Sequence, residues 1–75
     1  MQISDFLVHI DETLNQPALE SIEDDIRRGR GVVSAGHHAH TPHLVQVLYD
    51  SDQTRMAQIV GEVRQHGLQA QAVGM

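Results

Sequence analysis

The chain is expected to be an α+β domain of the ferredoxin-like kind, βαββαβ, with a four-stranded antiparallel sheet and two helices on one face. Three observations point there. Segments of period two alternate with two segments of helical period. Their order reads strand, helix, strand, strand, helix, strand. One short polar stretch, His38 to Pro42, joins the two middle strands as a hairpin. Right-handed crossovers then place both helices on one side and leave the other side of the sheet open.

Each element has its own signature. Phe6, Val8 and Ile10 alternate with Leu7, His9 and Asp11, the pattern of a strand with one more apolar face. Glu12 to Gln16 is polar and reads as a loop. Pro17 opens the first helix, where its missing N–H costs nothing. Leu19, Ile22 and Ile26 recur at helical spacing and form its buried stripe. Arg27 and Arg28 suit the negative end of the helix dipole, and Gly29 and Gly31 supply stop signals. Val32 to His37 is the second strand, and Pro42 supports a loop before the third.

The third strand, His43 to Tyr49, is the clearest. His43, Val45, Val47 and Tyr49 share one face, and Leu44, Gln46 and Leu48 the other. Asp50, Ser51 and Asp52 form a turn leading to a helix cap. Met56, Ile59, Val60 and Val63 carry the second amphipathic helix, which Gly67 ends in a left-handed cap. Leu68 to Val73 is a weaker fourth strand. Leu7, Leu44 and Leu48 are expected on the open face, beside His9 and Gln46.

Composition narrows the function. Seventy-five residues make one domain, 1–75. A chain of this size buries only about 60% of its unfolded surface, so a metal or an oligomer is a natural aid to stability. With no cysteine, disulfides, thiolate metal sites and cysteine nucleophiles are all excluded. The net charge is −5, all five basic residues are arginine, and the only aromatics are one Tyr and one Phe. That composition argues against nucleic acid as a partner. No apolar run approaches the ~20 residues of a membrane span. The opening MQISDFLVHID has no basic region and no long apolar stretch, so a cytoplasmic location is expected. Serines 4, 21, 34 and 51 lack any elbow or triad context. Asp11 and Glu12 are adjacent rather than opposed, and the glycines form no phosphate loop. An enzyme is not expected.

Three stretches carry a family resemblance. IEDDIRRGRGV (22–32) resembles the first helix and glycine-valine turn of heavy-metal-associated domains, the small metallochaperone and transporter modules. VQVLYD (45–50) resembles that family's third strand, and IVGEVRQHGLQAQAV (59–73) its second helix, glycine turn and last strand. The resemblance covers nearly the whole chain and implies the same ferredoxin-like fold. It also implies a CxxC just before the apolar stripe of the first helix. Counting back from Ile22, those positions fall on Asn15 and Ala18, neither of them a soft ligand. The family's thiolate handling of Cu(I) therefore does not carry over.

Histidine is the other chemical signal. His37, His38, His40 and His43 fall within GHHAHTPH, and His9 and His66 lie elsewhere. Neutral imidazole is a common ligand for Zn, Cu, Ni and Co. The topology expected here gathers the hairpin, the end of the first strand and the turn carrying His66 toward one pole. Two ligand sets follow from side-chain parity. In one, His37 opposes His43 at the rim of the core. In the other, His9 joins His38 and His40 on the open face. Against both stand a solvated histidine-rich turn and a pH-responsive interface.

The sequence thus favours a small cytoplasmic module binding a divalent transition metal through His37, His38, His40, His43 and His9. The alternative is a degenerate domain kept for protein interaction, without physiological metal. A homo-oligomer formed through Leu7, Leu44 and Leu48 or through a strand edge is expected in either case.

Overall fold

A computed structural model describes residues 1–73. In chain order the elements are β1 (Ile3–Ile10), α1 (Gln16–Arg27), β2 (Val32–Gly36), β3 (Leu44–Asp50), α2 (Met56–Arg64) and β4 (Ala70–Val73). The sheet order is β2-β3-β1-β4, all antiparallel. This is the ferredoxin-like arrangement that the alternation of periods predicts.

Parity places the core. Phe6, Val8 and Ile10 of β1 and Val45, Val47 and Tyr49 of β3 are buried against Leu19, Ile22 and Ile26 of α1 and Ile59, Val60 and Val63 of α2. Phe6 meets Tyr49 edge to face, with ring centroids 5.6 Å apart. The register Phe6↔Val47, Leu7↔Gln46 and His9↔Leu44 puts Leu7, His9, Leu44, Gln46 and Leu48 on the opposite side, where no helix covers them.

Several boundaries differ from the sequence reading. β1 starts at Ile3, and α1 starts at Gln16 because Asn15 caps it, its Oδ1 accepting from Ala18 N–H at 2.9 Å. β2 stops at Gly36 and β3 begins at Leu44, so His37 and His43 both lie in the hairpin. A register shift between Val32 and Ser34 turns Val33 outward, 57% exposed, while Ala35 stays buried. A bulge inserts one residue and so reverses the faces beyond it. Gly31 and Gly67 have φ of 83° and 81°. At Gly31 an added Cβ would also stand 2.8 Å from Gln53 Cβ, so that turn requires glycine twice over.

The two edge strands are treated alike. The Arg27 guanidinium, from the last turn of α1, donates to the Ala35 carbonyl of β2 through Nε at 2.9 Å and Nη2 at 2.6 Å. Arg64, from the last turn of α2, donates through Nε to the Ala70 carbonyl of β4 at 2.8 Å. A cation on an edge carbonyl hinders the addition of a further strand there.

At the end of the sheet away from the hairpin, Asp50 organises the turn into α2. Its carboxylate accepts from the N–H groups of Gln2 and Asp52 and from Gln53 Nε2. These bonds, the Gln53 one first, hold its carboxyl below the ordinary aspartate range, against the opposing effect of burial. The cap of α2 itself is Arg55, with no side-chain bond, rather than one of the turn residues.

Candidate metal centre

The β2–β3 hairpin, the end of β1 and the start of α1 meet at one pole. His43, just ahead of β3, donates Nδ1–H to the Ile10 carbonyl at 2.8 Å, while Ile10 N–H donates to the His43 carbonyl at 2.9 Å. The imidazole thus lengthens the β1–β3 ladder by one bond. His9, on the open face, lies beside it: the two ring centroids are 5.9 Å apart and the planes 19° from parallel. His9 Nδ1 stands 3.1 Å from Asp11 Oδ1. Asp11 follows His9 by two residues, so strand parity brings its side chain back to the same side.

His37 turns the other way. Its Nδ1 is 2.6 Å from Glu23 Oε2 on α1, and both groups are largely buried, with side chains 11% and 3% exposed. His66 Nε2 is 3.1 Å from Asp25 Oδ2, also on α1. His38 and His40 are exposed in the hairpin, and His38 lines an open-face groove with Leu7, Thr41, Leu44 and Gln46.

The partners of His9, His37 and His43 have one property in common. A carbonyl oxygen or an ionised carboxylate only accepts, so the ring nitrogen facing it must carry the proton. In a neutral ring held this way Nδ1 is the protonated nitrogen, and the Nε2 lone pair remains for a ligand. A carboxylate or carbonyl behind the imidazole is the usual arrangement behind a metal-bound histidine, fixing its tautomer and raising its basicity.

The structure therefore regroups the expected ligands. It brings His9 and His43 together, one from each of the two sets that parity offered. His37 is drawn to Glu23 and not to His43, because β2 ends one residue before it. Among the described residues, no group of three or more His, Cys, Asp or Glu stands close enough to hold an ion. Sequence reasoning overlooked Glu23, although Leu19, Ile22, Glu23 and Ile26 are spaced i, i+3, i+4, i+7, which puts a carboxylate on the buried stripe.

No family model matches the sequence, and no curated protein matches it. Solved structures do match its shape. A copper binding domain from HMA7, a P-type ATPase, agrees with a TM-score of 0.83 at 17% identity, over 93% of this chain and 93% of that one. Oxidized MerP from Ralstonia metallidurans CH34 gives 0.84 at 11% identity, over 96% and 99%. The CopZ metallochaperone gives 0.77 at 18% identity, over 93% and 100%. The chain has the fold of heavy-metal-associated domains.

Within the heavy-metal-associated fold, the positions that the resemblance marks for the cysteine pair are Asn15 and Ala18. Here they bond to each other: the Asn15 side chain is spent capping the Ala18 N–H. An amide oxygen and a methyl group offer nothing to a soft ion, so that site does not fit Cu(I). No helix among the described residues is long and apolar enough to cross a membrane.

Proposed function

We propose that the chain is a metal-binding module of heavy-metal-associated fold in which imidazole replaces thiolate, and that its site is built on His9 and His43. The observation that carries this is their pairing, with both Nδ1 atoms committed and both Nε2 atoms left for a ligand. Two imidazoles bound to one tetrahedral ion at about 2.0–2.1 Å would have ring centres roughly 5 Å apart. The rings stand 5.9 Å apart in the metal-free chain, 19° from parallel, so binding an ion would turn them toward it. His38 and His40 of the same hairpin, and His37 behind it, complete the imidazole-rich pole.

Nitrogen donors of this kind select Zn, Cu(II), Ni or Co and discriminate against Mg and Ca, which prefer oxygen cages. The solved structures of like shape include copper-binding domains and a metallochaperone, which supports transition-metal handling as the role. Calorimetric titration with each of these ions tests the reading. Zn or Cu(II) should bind far more tightly than Mg, and the His9→Ala/His43→Ala double variant should lose at least about tenfold in affinity, ~1.4 kcal/mol. Equal affinity for Mg and Zn contradicts it.

A second reading is an interaction module without metal. It is favoured by the uncovered sheet face, where Leu7, Leu44 and Leu48 are only partly buried and Ile3 is 45% exposed. That apolar surface is continuous with the histidine pair.

A further inference from the structure

We infer that the His9–His43 pair is half of a metal site, and that the other half is the same pair on a second copy of this chain, docked open face to open face. The inference rests on the metal-binding reading above and names the partner at that site.

A structural zinc site takes four ligands. One chain supplies two imidazoles at the pair, the Asp11 carboxylate is engaged on the Nδ1 side of His9, and among the described residues no group of three or more His, Cys, Asp or Glu could hold an ion. A two-fold interface presents the same patch on both sides, so two donors become four without any new residue. The surface around the pair suits such contact. Leu44 is the cross-strand partner of His9 and the chain neighbour of His43, and Leu7 precedes His9 by two residues on the same face. The competing route, strand addition at an edge, is hindered by Arg27 on the Ala35 carbonyl and Arg64 on the Ala70 carbonyl.

Charge makes the association depend on the ion. Each copy has a net charge of −5 with histidines neutral, and Asp5 lies on the open face in line with Leu7 and His9. Two copies repel one another until a cation is placed between them. With that repulsion unrelieved the chain is monomeric without metal, and with the ion between the copies it is dimeric.

Sedimentation equilibrium of the whole chain with and without Zn(II), combined with measurement of bound zinc, is the test. The expected result is a doubling of mass on zinc addition, with one ion bound per two chains. Leu7→Glu and Gln46→Glu alter the open face without removing an imidazole, and Gln46 is exposed, so its replacement leaves the core intact. Each should weaken zinc-dependent dimerisation about tenfold or more. One zinc per chain at monomer mass overturns the shared site while the metal-binding reading survives. Absence of zinc uptake overturns both. A zinc-dependent dimer indifferent to Gln46→Glu overturns the open face as the interface.

Discussion

His37 Nδ1 lies 2.6 Å from Glu23 Oε2, joining the hairpin to the middle of α1 inside the rim of the core. Neither partner is easily replaced alone, because each is what makes burial of the other tolerable.

His37→Ala leaves the Glu23 carboxylate buried without its partner. The expected loss is about 1–3 kcal/mol, read from urea unfolding. Replacing both residues by apolar ones of similar size should cost less than that single change, since no orphaned charge remains. If the single and double variants lose the same amount, the pair is not coupled.

Stability should fall at acid pH in a way that Asp50 reports. Its carboxyl is held below the ordinary aspartate value in the folded state, chiefly by Gln53, so the unfolded chain takes up the proton first on acidification. The contribution is fully present above the unfolded value and is lost as pH falls through the folded one. Asp50→Asn should be less stable near neutrality and lose less on acidification. An unchanged acid limb in that variant contradicts the assignment.

Arg27→Ala and Arg64→Ala each free an edge carbonyl. Each is expected to cost about 0.5–1.5 kcal/mol, at the lower end for Arg27, whose side chain is 46% exposed. The more telling readout is light scattering under mildly destabilising conditions. The double variant should aggregate faster than the parent, since both sheet edges are then open.

Much of the fold was legible because period two and period 3.6 survive in the core positions. Phe6, Val8 and Ile10, or Ile59, Val60 and Val63, are buried as their spacing requires. The bulge at Val33 was not legible, since Val-Val opens an ordinary strand and nothing local marks the extra residue. The candidate site was legible as composition and as location at one pole, but not as partners. His37, His38, His40 and His43 lie close together in the chain, yet they separate. His37 is drawn inward by a carboxylate fourteen residues away, and His43 is aimed by a backbone carbonyl across the sheet. Both attractions are set by tertiary register, which side-chain alternation alone does not fix once a strand ends.

Zinc affinity should decline as the solution is acidified, because protons and metal compete for the same Nε2 lone pairs. Calorimetry in steps from about pH 8 to about pH 5 checks this. An affinity that stays flat across that interval contradicts imidazole ligation.

The central claim is that His9 and His43 present Nε2 to a metal, with Nδ1 held by Asp11 and by the Ile10 carbonyl. Long-range ¹H–¹⁵N correlation of the imidazole nitrogens, recorded during a zinc titration, measures this directly. Before zinc, the two neutral rings should show the proton on Nδ1. On addition, the Nε2 resonances of His9 and His43 should shift together and ahead of those of His66. Protons found on Nε2 in the metal-free chain, or zinc shifts that leave His9 and His43 in place, would contradict the account.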